Sequence, residues 1–396
     1  MQLFFCYLNF KTAYVSSKSN LRLNTHIYTH KLLNMEQLLL RERIILDTRN
    51  ISSHIKNKRI LVTGAAGSIG GELVKHILGY EPATISLVDR SEQDMFILTN
   101  ELGKYKHIQF ELIDITNKEA LERLLAQIKP QIIFHTAAYK HVPLLECQPH
   151  AAVENNTFAT QTLADLSVVY GVEKFIFIST DKAVNPESVM GITKRLSELY
   201  LLRLNEEQSA TRFIMTRFGN VLGSAGSVYA TFKEQIRDCR PLTVTHPEVS
   251  RYLITCYEAS QLVLEAASAG RGGEIFLLDM GKPVPILDLA KRMMTLYASG
   301  KNIEIKFTGL RKGEKLHEEL VYEDEVIFTT DQANVQIARQ KSVLQFNIRE
   351  KLTILRNTMK DKNKDQLLLI LKNILTDDSG KSHAATEIIS GISTIH

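Results

Sequence analysis

Short apolar runs alternate with longer segments of helical spacing from residue 59 onward. Each run is bounded by glycine or polar residues, and the segment that follows it repeats apolar residues at intervals of three and four positions. Unbroken apolar runs are typical of strands buried on both faces of a sheet, and the wider spacing is typical of amphipathic helices. The strands predicted in this way are Ile60–Thr63, Ile85–Asp89, Phe110–Asp114, Gln131–Ala138, Phe175–Ile178, Arg212–Thr216 and Glu274–Leu278.

This alternation of strand and helix predicts an α/β fold of the Rossmann type. We expect a doubly wound parallel sheet with helices on both faces and a smaller C-terminal substrate-binding subdomain. The predicted segments are a disordered or mis-assigned start (residues 1–34), a lead-in helix (35–58), a nucleotide-binding domain with the catalytic residues (59–240), a mostly substrate-binding subdomain (241–345) and a helical tail (346–396).

The formal charge of +4 lies entirely in the first segment. Residues 1–34 contain four basic residues and no acidic ones, so the remainder sums to zero. We interpret Met35 as the true start, with a transit peptide as the alternative. A neutral body gives no electrostatic reason to expect nucleic acid or an anionic membrane as a partner. The basic residues are Lys11, Lys18, Arg22 and Lys31.

The four cysteines show no spacing typical of a metal site or of a disulfide framework, so we expect no metal and reduced thiols. No apolar run approaches the ~20 residues that span a bilayer. We therefore expect a cytoplasmic protein, and also a homo-oligomer.

A glycine turn follows the first strand and opens a helix. Glycines at 64, 67 and 70 allow backbone amides to approach a pyrophosphate, and the helix dipole favours the anion. Asp89 ends the second strand, where a carboxylate would bind ribose hydroxyls and repel a 2′-phosphate, which favours NAD. Arg90 leaves NADP open, because its guanidinium could bind that phosphate. The predicted cofactor contacts are Gly64, Ala66, Gly67, Ser68, Ile69, Asp89, Arg90, Asp114, Ile115, Ala137, Ala138 and Lys194.

Two of these acidic residues also have a purely structural interpretation. Asp89 could be a strand-end cap, and Asp114 could cap the helix that begins near Asn117 instead of contacting adenine.

The stretch Phe175–Lys194 combines an apolar strand, a polar loop and the start of a helix. The carboxyl ends of parallel strands face the ligand crevice, so Thr180, Asp181 and Lys182 are candidate catalytic residues. Met190 and Lys194 are four apart and share a helical face, as in a Tyr-x-x-x-Lys pair. Their structural alternatives are a strand-end hydroxyl for Thr180, a local ion pair for Asp181 and Lys182, and core packing for Met190.

Later loops supply candidate substrate ligands. A glycine-punctuated loop after Arg217 offers amide donors beside Asn220 and Ser224. Arginines present paired donors to phosphate oxygens, although each alone is also typical of a surface salt bridge. The predicted substrate contacts are Lys140, His141, Asn220, Ser224, Thr245, Arg251, Arg311 and Glu314.

Several of these motifs together resemble the capsule and flagellin-glycan UDP-N-acetylglucosamine 4,6-dehydratases of the extended short-chain dehydrogenase/reductase superfamily. The resemblance runs from about Met35 to Gln340, and the family has Tyr or Met at the position of Met190. This chain is similar to the Met form. The motifs are Thr63–Gly70, Ala137–Pro143, Ser179–Pro186, Arg217–Ser224, Thr243–Pro247 and Gly309–Lys315.

The resemblance implies conversion of UDP-N-acetylglucosamine to a 4-keto-6-deoxy sugar for surface polysaccharide or glycan synthesis. C4 is oxidised, water is eliminated across C5 and C6, and the hydride returns to C6. Lys182 is then the candidate base at C5, Asp181 the acid for the C6 oxygen, Thr180 the contact to the C4 oxygen and Lys194 the ribose ligand. The alternatives are a UDP-hexose 4-epimerase and a non-catalytic nucleotide-binding regulator.

Overall fold

The computed structural model describes residues 38–39, 41, 44, 49–208, 210–298, 300, 302–331, 334–340 and 347–375. Chain contacts divide the molecule into residues 1–43 and residues 44–396, and the following description concerns the second unit. The predictions for residues 1–34 and for the end of the tail lie outside the described residues. Of the predicted lead-in helix, the segment Arg49–Ile55 is described as helix α1.

A nine-stranded sheet organises this unit, in the order β14-β15-β11-β6-β5-β4-β1-β2-β3. The strands from β3 to β11 in that order are parallel, and β15 and β14 add antiparallel pairs at one edge. The doubly wound parallel sheet predicted from the sequence is confirmed. Its strands are β1 Arg59–Thr63, β2 Thr84–Asp89, β3 Ile108–Leu112, β4 Ile132–His135, β5 Lys174–Ile178, β6 Arg212–Arg217, β11 Ile275–Leu278, β14 Glu325–Thr329 and β15 Val335–Gln340.

Helices cross between the parallel strands and cover the sheet. Side-chain caps fix several helix starts: Asn117 accepts from the amide of Ala120, and Ser188 accepts from that of Gly191. The remaining helices are α2 Ser68–Leu78, α3 Glu92–Leu102, α4 Lys118–Ile128, α5 Val142–Cys147, α6 Pro149–Ala152, α7 Ala159–Val169, α8 Val189–Glu207, α9 Val228–Arg237, α10 Cys256–Ala269, α11 Ile286–Tyr297, α12 Ile348–Lys360 and α13 Lys364–Asn373.

Strand β5 shows why the core has two halves. Every residue of the strand is buried, and successive side chains of a strand point to opposite faces. Phe175 and Phe177 accordingly pack in one hydrophobic cluster, and Ile176 and Ile178 pack in the other. An unbroken apolar strand therefore requires cover on both faces, as the sequence pattern predicts.

The second half of the chain contributes to the same sheet. Strands β11, β14 and β15 lie beyond residue 240, so the sheet continues past the domain boundary predicted there. Three small strand pairs lie outside the main sheet and join loops near the carboxyl ends of its strands. They are β7 Asn220–Leu222 with β10 Leu253–Thr255, β8 Leu242–Val244 with β13 Ile305–Phe307, and β9 Ser250–Arg251 with β12 Val284–Pro285.

The helix predicted to begin near Ala151 is divided. A π-helical turn, Val153–Phe158, joins α6 to α7. Such turns are frequent at functional sites, because they re-aim side chains out of the regular helical register. In the part of the chain that the structure describes, no helix has both the length and the apolar character needed to cross a bilayer.

Candidate active site

Strands β1 and β4 are neighbours, and the strand order runs outward in opposite directions from them. A sheet of this kind leaves a crevice at the carboxyl ends of those strands. A cleft of about 210 Å³ lies there, lined by residues that follow β1, β2, β3 and β4. The lining includes Gly64, Gly67, Asp89, Arg90, Ile115, Ala137 and Ala138, all predicted as cofactor contacts, together with Ile113, Thr136, Tyr139 and Asn155.

The turn after β1 has no room for side chains. Gly64 has φ +67°, and a Cβ there would lie 2.6 Å from the amide nitrogen of Ala137. A Cβ on Gly70 would lie 2.2 Å from the carbonyl oxygen of Gly64. The amide of Gly67 donates to that same carbonyl, at 3.1 Å. The amides left for an anion are therefore those of the first turn of α2, beginning at Ser68.

Asp89, at the end of β2, lines the cleft and is held in place by two backbone amides. One carboxylate oxygen accepts from the amide of Ala66 at 3.1 Å, and the other accepts from the amide of Ser91 at 3.0 Å. The Arg90 guanidinium lies 4.3 Å from the ring centre of Tyr139. Asp89 is thus a strand-end cap that also lines the cleft, and this carboxylate beside a glycine cradle fits a dinucleotide with free ribose hydroxyls.

Asp114 does not cap the following helix. Asn117 supplies that cap, and Asp114 accepts from the amide and hydroxyl of Thr116, at 2.9 and 2.8 Å. Its other oxygen lies 3.5 Å from the Arg90 guanidinium. The capping alternative is wrong, because the helix begins later than Asp114 could reach.

Beyond the cleft, β5 ends in a 3₁₀ turn, Asp181–Ala183, that carries the predicted catalytic run. The hydroxyl of Thr180 donates to Asp181 Oδ1 at 2.9 Å, and Lys182 Nζ donates to the same oxygen at 3.0 Å. Asp181 is completely buried, and its Oδ2 has no hydrogen-bond partner among the described residues. Thr180 and Lys182 keep exposed surface, so any ligand reaches this carboxylate through them.

Lys194 and Met190 lie on α8 beneath this loop. Lys194 Nζ lies 3.8 Å from the ring centre of Phe177, and its side chain is 5% exposed. Burial lowers the pKa of Lys194 to about 7, although Glu198 opposes the shift. Met190 is also 5% exposed and belongs to a hydrophobic cluster. Met190 therefore has the buried, apolar surroundings that the core-packing interpretation requires.

An asparagine at the π-helical turn links the cleft to α8. Asn156 accepts from the amide of Tyr139 at 2.8 Å and donates to its carbonyl at 2.9 Å. It also donates to the hydroxyl of Thr193 at 3.3 Å. The re-aimed side chain thereby holds the loop after β4 against the helix that carries Lys194.

The predicted substrate ligands Lys140 and His141 follow β4. Burial lowers the pKa of the Lys140 ammonium, with Cys256 acting in the opposite direction. Burial also lowers the pKa of His141, and Lys140 adds to the effect. A Cβ on Gly226 would lie 2.4 Å from the His141 ring. The loop after β7 therefore packs directly against His141.

That loop also reaches the cofactor side of the crevice. The amide of Ala225 donates to the Ser68 hydroxyl at 3.1 Å. Ser224 donates its own hydroxyl to the carbonyl of Val221 at 2.8 Å. Asn220, at the start of the loop, accepts from Lys182 Nζ at 2.8 Å. Residues predicted for cofactor, substrate and catalysis thus meet at one loop.

Arg251 and Glu314, both predicted substrate ligands, pair with each other. The Arg251 guanidinium lies 3.0 Å from Glu314 Oε1, which also accepts from the Thr245 hydroxyl at 3.0 Å. Arg251 is 5% exposed and donates to the carbonyls of Ser250 and Leu316. Arg311 is exposed, and its backbone amide donates to Glu314 Oε2 at 3.1 Å.

A segment that we name the strap, residues 314–325, covers the 3₁₀ turn. Lys315 Nζ donates to the carbonyl of Val184 at 3.0 Å, and the Tyr322 hydroxyl donates to that of Ala183 at 2.8 Å. Glu318 Oε1 lies 3.4 Å from Lys182 Nζ. The strap thus contacts the predicted catalytic run and the residues directly after it.

Buried charges anchor the end of the strap. Arg217 is completely buried and makes paired bonds to Glu198 of α8 and to Glu325, at 2.7–3.0 Å. Burial would raise the pKa of Glu198, but Arg217 outweighs it and lowers the value to about 2. The Ser179 hydroxyl also donates to Glu198, at 2.5 Å. These contacts join the segment after β5, the end of β6, α8 and the strap beside the predicted catalytic residues.

Residues 60–340 match the model of a family described as polysaccharide biosynthesis protein. The chain belongs to that family. A capsular polysaccharide biosynthesis protein, CapD, from Staphylococcus aureus is 46% identical over 303 residues, which are 75% of this chain and 50% of that protein. The chain spans about half the length of CapD and of the probable polysaccharide biosynthesis protein EpsC from Bacillus subtilis.

Other relatives of this family member carry enzyme names. A UDP-N-acetylglucosamine 4,6-dehydratase (inverting) from Campylobacter jejuni is 33% identical over 281 residues, 70% of this chain and 81% of that protein. A UDP-glucose 4-epimerase from Rickettsia bellii is 32% identical over 289 residues, 70% of this chain and 82% of that protein. The relatives therefore include both reaction types that the sequence left open.

Solved structures agree with the fold. Pen from Bacillus thuringiensis has a TM-score of 0.68 at 33% identity, covering 72% of this chain and 89% of that chain. The NAD complex of UDP-glucose 4-epimerase from Thermus thermophilus has a TM-score of 0.58 at 23% identity, covering 66% and 90%. This member of the family thus shares the fold of Pen and of a nucleotide-sugar 4-epimerase.

Sequence reasoning missed the residues that reach the site from a distance. Glu318 and Glu319 are adjacent glutamates, and no local pattern indicates that only the first is buried. Arg217 ends an apolar strand, which was the one available signal, since a charge at that position must find a partner. The partners that it found, Glu198 and Glu325, are close to it only in the folded chain.

Proposed function

We propose that this protein is an NAD-dependent nucleotide-sugar 4,6-dehydratase that acts on UDP-N-acetylglucosamine for surface polysaccharide synthesis. The observation that carries the proposal is the arrangement of Thr180 and Lys182 around one buried carboxylate, Asp181, at the carboxyl end of β5. A dehydratase needs an acid and a base beyond the groups that oxidise C4, and this cluster offers both beside Lys194.

The cofactor proposal rests on the cradle around Gly64 and Gly70 and on the carboxylate of Asp89. When bound, NAD supplies a hydride acceptor for C4 and returns that hydride to C6. The first-turn amides of α2 would bind the pyrophosphate, and Asp89 would bind the adenosine ribose. Lys194, under the catalytic loop, would bind the nicotinamide ribose.

Removal of the C4 hydroxyl proton needs a group other than tyrosine, since Met190 cannot ionise. Thr180 already donates to Asp181 at 2.9 Å. A C4 hydroxyl that donates to Thr180 would pass its proton through that hydroxyl to the Asp181 carboxylate. This relay makes Asp181 the carboxylic acid that the next step requires, although the residue itself is buried.

Elimination then uses Lys182 and Asp181 together. The new ketone makes the C5 proton acidic, and Lys182 as a free amine takes that proton while the electron pair moves toward the C4 oxygen. The proton stored on Asp181 leaves through Thr180 to the C6 oxygen, which departs as water. Lys182 afterwards returns its proton to C5. The water proton therefore comes from the C4 hydroxyl, and the cycle needs no external acid.

The loops across the crevice would hold the UDP group. Arg251 and Arg311 are the candidate diphosphate ligands, because guanidinium binds two oxygens at once. Glu314 already orients Arg251 at 3.0 Å, so binding would add an anion to a guanidinium held in place. Lys140, His141, Ser224 and Thr245 are the further candidate contacts, and Asn220 orients Lys182.

A UDP-hexose 4-epimerase is the second candidate, and the specific observation in its favour is the relative from Rickettsia bellii named for that activity. An epimerase returns the hydride to C4 and leaves the C6 hydroxyl in place. It needs no acid at C6 and no base at C5, so it gives no role to the Asp181 and Lys182 pair.

Product analysis by NMR tests the proposal. Incubation with UDP-N-acetylglucosamine should give a C6 methyl signal and a C4 ketone without net accumulation of NADH. A C4 epimer with its C6 hydroxyl intact would support the epimerase, and steady NADH formation would indicate a simple dehydrogenase. Thr180→Val should lower turnover by about 100-fold or more, as loss of a proton-transfer group does, whereas Thr180→Ser should retain it.

A further inference from the structure

Glu318 is a buried carboxyl group that the proposed steps do not use. Its side chain is 3% exposed, and its Oε1 lies 3.4 Å from Lys182 Nζ. Its Oε2 is buried and has no hydrogen-bond partner among the described residues. Leaving a buried oxygen without a partner costs free energy. A change in the protonation of the group during the reaction is one reason why a protein keeps such an oxygen.

Lys182 makes that change necessary. Lys182 Nζ donates to Asn220 Oδ1 at 2.8 Å and to Asp181 Oδ1 at 3.0 Å, and it forms an ion pair with Glu318 Oε1 at 3.4 Å. As an ammonium, Nζ has no lone pair for the C5 proton. A base at this position must first give one proton to a neighbour.

Burial favours Glu318 as that neighbour, although most of the charged groups around it oppose protonation. Burial raises the pKa of Glu318, and Asp181 raises it further, while Lys182, Arg251 and Lys315 oppose the shift. Arg251 contributes little direct contact, because its Nε lies 3.9 Å away and its guanidinium pairs with Glu314. Asn220 presents its amide oxygen and cannot take the proton. Asp181 holds the C4 proton in the proposed reaction, so Glu318 is the acceptor that remains.

We propose that Glu318 takes a proton from Lys182 and so converts Lys182 into the free amine that removes the C5 proton. In this step an Nζ–H bond breaks and an Oε–H bond forms. Lys182 then takes the C5 proton, returns it after hydride transfer to C6, and recovers its original proton from Glu318. Glu318 acts through Lys182 and is a positioning residue. The inference rests on the dehydratase function proposed above.

Loss of the C5 proton during the reaction follows this step. In deuterated solvent, wild-type enzyme should replace the C5 proton of UDP-N-acetylglucosamine by deuterium after C4 oxidation has left its proton on Asp181, and NMR follows this exchange. Glu318→Gln should slow that exchange by about 100-fold or more, the range expected for loss of a proton-transfer group. Transient reduction of NAD on mixing with UDP-N-acetylglucosamine, which reports C4 oxidation, should persist.

The pH profile separates this role from simple support of the fold. In Glu318→Gln, exchange should recover progressively as pH rises, because solvent then removes the Lys182 proton. Glu318→Asp keeps a carboxylate and should exceed Glu318→Gln by about tenfold or more. Glu122→Gln is the control, because it makes the same change at an exposed glutamate of α4. It should exchange like wild type.

Three results with Glu318 variants would overturn the proposed role of Glu318, and one with wild-type enzyme would overturn the proposed function. Undiminished exchange in Glu318→Gln overturns the inference, as does an Asp variant no better than the Gln variant. Equal loss of NAD reduction and exchange without recovery at high pH assigns Glu318 a structural role and also overturns it. A wild-type enzyme that neither reduces NAD transiently nor forms the ketone overturns the dehydratase proposal itself.

Discussion

The proposed cofactor cleft and the proposed catalytic loop, residues 180–183, are built in different ways. The cleft is made by short turns directly after β1, β2, β3 and β4, and its polar contacts join residues at strand ends, such as Asp89 to the amides of Ala66 and Ser91. The catalytic loop is held by side chains far away in the chain. Tyr322 reaches the carbonyl of Ala183 across 139 residues.

The two regions also differ in how deeply their charged side chains are buried. The cleft has open polar surface that water can solvate before a ligand binds. The catalytic loop buries Asp181 and Glu318 around one ammonium and places Arg217, Glu198 and Glu325 behind them. Backbone geometry is enough to form the cleft, whereas buried charges need exact partners from several elements. The catalytic region should therefore be the more sensitive to loss of a distant residue.

The largest expected effect is on the buried charges. Arg217→Met removes the buried cation of Glu325 and one of the two buried cations of Glu198, which keeps Arg195, and it should lower the free energy of unfolding by about 3–5 kcal/mol. Denaturant unfolding measures this loss. Arg203→Met is the control, because Arg203 makes exposed pairs with Glu206 and Glu207. That change should cost less than about 1 kcal/mol, and equal losses in the two variants would remove the contrast between buried and exposed pairs.

A smaller effect is expected in the cleft. Gly64→Ala places a Cβ 2.6 Å from the backbone of Ala137 and should weaken NAD binding by at least about tenfold, or 1.4 kcal/mol. Gly171→Ala is the matched control, since Gly171 has nearly the same φ, +66°, and nothing within 4 Å of the added atom. Calorimetric titration should show unchanged affinity there. Similar losses in both variants would attribute the effect to φ strain alone.

The effect that is smallest per unit of change is that of pH on Lys194. Burial lowers its pKa from 10.5 to about 7, so between these values the unfolded chain binds more protons and stability rises with pH. The cost of burying the ammonium is fully present below pH 7. Lys194→Met should therefore be stabilising relative to wild type at pH 6, and this advantage should shrink by about 1.4 kcal/mol per pH unit between 7 and 10.5. A difference that does not change with pH would contradict the shift.

The sequence predicted the cleft in more detail than the catalytic surroundings. Glycine spacing and a strand-end Asp89 are local signals, and the structure places them around one cleft. The run Thr180–Lys182 was also visible, because polar residues directly after an apolar strand lie at the ligand edge of a sheet. What could not be predicted was that Asp181 is fully buried, whereas Thr180 and Lys182 on either side of it remain partly exposed.

The alternating apolar runs by themselves determined the parallel sheet, its two-sided core and the edge at which ligands bind, because strand and helix periods are properties of neighbouring residues. Only the tertiary structure decided which charged residues surround the catalytic run. Nothing in the local pattern distinguishes Glu318 from Glu319, yet one lies 3.4 Å from Lys182 and the other is exposed. Whether a glutamate is buried depends on which distant segments pack against it. An unpaired buried charge is costly, so each buried charge is paired, but the partner comes from a segment that is distant in the sequence.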